Sequence, residues 1–135
     1  MDLRALQKDL PAIEDGRWVD KAEMPALQDM RVKVKGYGSK AVQDAASARK
    51  RALEGDDLDG GKPTDEALSR LGLMILQDVF VDIEGLTNGD EPVTADEVRA
   101  SITDPAFEPL ADLILRAAHL VNESRMLRRE ALAKN

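Results

Sequence analysis

Few side chains in this 135-residue sequence have the type and spacing that chemistry requires. It has no cysteine and one histidine, His119, which excludes disulfides, thiol nucleophiles and thiolate metal sites. Two acidic groupings and the histidine remain to be weighed. Gly55 to Glu66 nearly spells a calcium loop, with Asp57, Asp59, Gly60 and Glu66 at loop positions 3, 5, 6 and 12. Position 1 requires an acidic ligand and holds Gly55, while Pro63 stands at position 9. Asp78, Asp82 and Glu84 form a second grouping, but no histidine accompanies them, and they read as the solvated rim of an apolar helix. His119 shares a polar helix face with Arg116 and Glu123, which is a surface setting rather than a catalytic one. Gly60-Gly61-Lys62-Pro63 places proline where a phosphate-cradling loop needs Ser or Thr. With no nucleophile–base pair to position, the sequence argues against an enzyme and for neither a cofactor nor a metal.

Charge narrows the partners. The net charge is −7, and residues 55–104 hold the whole excess, with 13 acidic and 3 basic side chains. Such a belt opposes nucleic-acid binding, because phosphate contacts need cations. It reads as a solvating surface. No run of about 18 apolar residues and no secretory signal pattern occurs, so neither a membrane span nor export is expected, and a cytoplasmic protein is.

The elements follow from periodicity. Leu3, Leu6 and Leu10 are spaced for a short terminal helix that Pro11 stops. Arg17 to Asp20 reads as a short strand. In Met30 to Lys35, Met30, Val32 and Val34 alternate with Arg31, Lys33 and Lys35, the clearest strand in the chain. The two strands predict a hairpin from Trp18 to Val34, its lysine face suiting an edge strand guarded by charge. Ser39 is placed to cap an Ala-rich helix over Lys40–Leu53.

Leu68 to Val98 is the stretch the remainder is organised around. Thr64 caps a helix to Val81 that is apolar on most faces, and Gly72 within it suggests a close contact. Asn88-Gly89 is a turn, and Thr94 to Glu97 is a capping box, with Val93 and Val98 spaced as a hydrophobic staple. A last long helix is predicted from Pro109 to Leu132. These elements describe one domain, 1–135, of α+β class and mainly α. A terminal helix and hairpin fill 1–38, and about four helices fill 39–135.

Three pieces, in order, resemble the tail assembly chaperones of long-tailed bacteriophages and prophages. The first is Gly16-Arg17-Trp18-Val19, then Met24-Pro25, then Arg31 to Lys35 with Val32 and Val34 inward. The second is the apolar helix running into Val81-Asp82-Ile83-Glu84-Gly85-Leu86, with Ile83 where the family commonly carries tryptophan. The third is Asn88-Gly89-Asp90-Glu91-Pro92-Val93, the capped start at Thr94 and Glu97, and the apolar final helix. The resemblance spans Gly16 to about Val121, and Trp18, Val32, Val34, Gly85, Gly89, Pro92, Thr94 and Glu97 carry it as structural positions. It implies a non-enzymatic assembly factor in the host cytoplasm. Such a factor binds the tape measure protein, keeps its long helices dispersed, recruits tail tube protein, and is compatible with a homo-oligomer. The competing implication is a head–tail connector or tail-completion protein that stays in the virion.

Overall fold

The computed structural model describes residues 1–133, and its centre is α5 (Glu108–Asn122). Ala111, Ile114, Ala117, Ala118 and Val121 recur at helical spacing and are buried together. Three of these five are alanines, so neighbouring elements approach the helix axis closely. Pro109 sits in its first turn, where a missing amide costs nothing.

Against α5 lies an antiparallel sheet of β1 (Arg17–Val19), β2 (Arg31–Val34) and β5 (Phe80–Glu84), in the order β1-β2-β5. Val19, Val32, Val34, Phe80 and Ile83 are buried in the core. On the outer face Trp18, Lys33 and Asp82 stand abreast, and Arg31 lies opposite Glu84. The predicted hairpin strands thus pair, but β2 is the middle strand rather than an edge. Arg31 pairs across strands instead of guarding an edge: it bonds Glu84, and its guanidinium lies 4.2 Å from the Trp18 ring centre.

The third strand corrects the expected helix 64–81. Helix α3 (Asp65–Val79) stops at Val79, and the chain runs straight into β5 without a loop. Val81 and Ile83 are β-branched and favour the extended state. A register shift beside Val34 seats Phe80 against it.

Other boundaries also move. The N-terminal segment forms only a 3-10 turn at Leu3–Leu6, and α1 (Leu10–Asp15) begins where the sequence predicted a stop. Pro11 opens this helix, and the Asp9 carboxylate caps it by accepting from the Ala12 amide at 3.3 Å. Helix α2 (Lys40–Arg51) is not capped by the Ser39 side chain. Glu14 does that work, accepting from the Lys40 amide at 3.0 Å and from the Ser39 hydroxyl at 3.0 Å. The predicted single final helix is broken. It ends at Asn122, turns through Glu123 and Ser124, and resumes as α6 (Met126–Ala133). Glu123 and Ser124 donate back to Leu120 and Val121, which tightens the last turn and ends the regular helical pattern. Among the described residues there are six α-helices, and the five beyond residue 38 exceed the expected four because the final one is split.

Helix α3 is less buried than its composition suggests. Ala67, Leu76 and Val79 are buried, Leu71, Leu73, Met74 and Ile75 are half-buried, and Leu68 is 44% exposed. Gly72 faces open space, so no close contact explains it. Two short hairpins complete the chain, β3 (Leu58–Asp59) with β4 (Lys62–Pro63) and β6 (Thr87–Asn88) with β7 (Glu91–Pro92). Helix α4 (Ala95–Ser101) buries Val98 and, just beyond it, Ile102. No helix of the described residues is long and apolar enough to cross a membrane.

Candidate functional site

The carboxylates with ligand-like spacing are used elsewhere. Asp57 pairs with Arg70 at 2.8 Å and Asp78 with Arg49 at 2.7 Å, the latter joining α3 to α2. Asp82 accepts from the Ile83 amide at 2.8 Å, and Glu84 is taken by Arg31. That hydrogen bond from Arg31 holds the Glu84 carboxyl below its ordinary range and raises the Arg31 guanidinium further. The calcium-like loop is a β-hairpin, and no group of acidic or histidine side chains among the described residues is arranged to hold a metal. His119 stacks on Tyr37, ring centres 4.7 Å apart, which gives the single histidine a packing partner.

The eight structural positions fall into separate groups. Val32 and Val34 are core, while Trp18 lies on the outer face under Arg31. Gly85 turns the chain out of β5 with φ +82, packed against the backbone of Asp29 and Met30. Gly89 and Pro92 sit on the exposed β6–β7 hairpin. Thr94 Oγ1 accepts from the Glu97 amide at 3.2 Å, and Val93 and Val98 both join the core. These residues shape the segment from β5 to α4 and do not converge on a shared pocket.

A concavity of about 710 Å³ lies elsewhere, between α1, β1, the end of α5 and α6. Pro11, Ala12, Ala22, Leu120 and Leu132 supply its apolar lining, and Arg128 stands at it without an ion-pair partner among the described residues. Arg17 is fixed on one wall. It grips Glu23 with two bonds of 2.6 and 3.0 Å, and its Nε donates to Ser124 Oγ at 2.8 Å. On the other wall Asp9, with its side chain only 3% exposed, accepts from Arg129 at 2.9 Å as well as capping α1.

The two chain-end segments close this groove by pairing with each other. The Asp9 amide donates to Ser124 at 2.9 Å, the Met126 amide donates to Gln7 at 3.0 Å, and Lys8 and Arg125 form an antiparallel bridge. Sequence reading missed Asp9, Arg17, Ser124 and Arg129. Asp9-Leu10-Pro11 does carry a local signal, an acidic N-cap just before a first-turn proline. The pairing of Arg17 with Ser124 joins positions 107 residues apart and leaves none.

Comparison with protein-family models, with characterised proteins and with solved structures finds no match.

Proposed function

We propose that this protein is a phage tail assembly chaperone that binds amphipathic helices of the tape measure protein and promotes assembly of the tail tube around them. The observation that carries this reading is the apolar surface left uncovered on helical elements. Leu68 is exposed on α3, Phe107 ahead of α5, and Leu3, Leu6, Leu10, Leu127 and Leu132 on the elements framing the groove. Large apolar side chains exposed in groups mark surfaces for partners. Helices and a groove of this kind match the helix-in-groove mode of recognition. The ordered resemblance from Gly16 to Val121 supplies the identity of the partner. The acidic belt then has a role, since a charged coat keeps a complex of long apolar-striped helices dispersed.

Binding of this kind has to be reversible, because tail tube subunits must replace the chaperone. Many modest contacts serve that better than one deep anchor. The test is co-expression of the phage's tape measure protein with and without this chain, followed by sedimentation and affinity purification. The expected result is a soluble tape measure protein that co-purifies with the chain and is insoluble without it. Equal solubility in both cases, with this chain found in purified particles, would replace the reading by that of a retained head–tail or tail-completion component.

A further inference from the structure

Helix α6 is held to the rest of the molecule mainly by polar contacts. Leu127 to Leu132 are all exposed, and the helix packs mainly on the 3-10 turn at Leu3–Leu6, which is itself exposed. Apolar burial therefore contributes little to holding it. Its anchors are polar: the Met126–Gln7 backbone bond and the ion pair of Arg129 with Asp9. That pair is asymmetric, with the Arg129 side chain 53% exposed and the Asp9 side chain 3% exposed. A buried carboxylate thus takes its countercharge from a loosely packed helix. Removing one partner of such a pair leaves a buried charge uncompensated, so Asp9 favours some cation at that place whenever α6 is absent. Beneath the helix lies the groove with Pro11, Ala12 and Leu120 on its lining.

We propose that the groove between α1 and the end of α5 is the acceptor for an amphipathic helix that presents an arginine to Asp9. In this arrangement α6, which forms one wall of the groove, holds Asp9 through Arg129 until a partner helix takes over that contact. The occupant is specified by the site: an apolar side to meet Leu120 and Ala12, and one cation positioned as Arg129 is. The proposal rests on the helix-binding reading above and adds to it the place and the charge requirement. It also makes binding competitive, because the partner must first release α6 from Asp9.

The test uses the full chain and its Arg129→Gln, Arg129→Lys and Asp9→Asn/Arg129→Gln variants. The probe is a fluorescent peptide copying residues 124–133, made with Arg or Gln at position 129. Hydrogen exchange at the amides of Asp9 and Met126 reads the latch, and that at Ile114 reads the core. Arg129→Gln is expected to speed exchange at Asp9 and Met126 by at least about tenfold with Ile114 unchanged, and Arg129→Lys to restore slow exchange. The Arg peptide is expected to bind Arg129→Gln at least about tenfold tighter than it binds the unmodified chain, because the competing helix is unlatched. That gain is lost with the Gln peptide and with the double variant. Unlatched exchange in the unmodified chain, unchanged exchange in Arg129→Gln, or binding indifferent to Asp9 and to the peptide's arginine would each overturn the proposal. If the double variant loses Ile114 protection, the Arg-versus-Gln peptide contrast on Arg129→Gln alone decides. Failure of the peptide arm with tape measure co-purification intact would remove this groove but keep the chaperone. The reverse outcome would keep the groove and remove the chaperone.

Discussion

Gly85 is the residue whose environment is most exacting. Its φ of +82 lies in the left-handed region, and a β-carbon there would run into the carbonyl oxygen of Asp29, with Met30 Cα only 3.2 Å away. Gly85→Ala is therefore expected to destabilise by more than about 2 kcal/mol in urea unfolding, since strain and clash act together. Gly89 has φ +64 but open space around it, so the same change there should cost only about 1 kcal/mol. The sequence marks Gly89 as a turn glycine and Gly85 only as a position of the resemblance, and the cost at Gly85 is hidden because the neighbour that causes it is 56 positions upstream. Glu84 beside it offers a test of charge. Hydrogen bonding from Arg31 lowers its carboxyl, slight desolvation opposes this, and Coulomb attraction to Arg31 adds to the lowering. A lowered folded value means that its contribution is fully present above the ordinary value of 4.5 and is lost as pH falls through the folded one. In an NMR titration Glu84 should titrate below the ordinary value, and Arg31→Gln should return it there. Because the pair is fully exposed, the change in acid stability will be small.

At the scale of elements, caps decide which helices begin where they do. Thr94→Ala should cost about 1 kcal/mol, read from thermal unfolding, because the Glu97 amide loses its acceptor at the start of α4. Glu14→Ala should cost a similar amount, about 1–2 kcal/mol, by uncapping α2 from a distance. A fall in stability there with Ser39→Ala nearly neutral in comparison would separate the two candidate caps of α2. Thr64 and Thr94 were legible in the sequence because a threonine cap and its amide are three residues apart. The Glu14 cap was not, because its amide lies 26 residues further on, beyond β1 and β2. The same reason hides β5. Phe80 to Glu84 directly continues an apolar helix, and only pairing with β2 reveals it as extended. The break between α5 and α6 escaped detection because Leu127 and Leu132 continue the apolar spacing past Ser124 without being buried.

For the molecule as a whole, the α+β class and the alternating strand were readable because both rest on short-range periodicity. Where the centre lies was not. The sequence reading placed the centre in the stretch from Leu68 to Val98, yet α3 leaves Leu68 exposed while α5, at least as apolar in composition, is buried among β1, β2, α1 and α3. This placement of α5 has a consequence for synthesis. The ribosome makes β1, β2, α2, α3 and β5 before any residue of α5 exists, and of these β1, β2 and α3 pack against α5 in the finished fold. Until Ile114 and Val121 emerge, the nascent chain holds an unsupported sheet and an apolar helix, a state open to proteases and to sticking. Chains arrested after Phe107 should accordingly be cleaved within the sheet segments at low protease, whereas chains carried past Arg125 resist. Folding of this protein is thus timed by how far translation has gone, with the late helix acting as the signal that the early segments have something to fold onto.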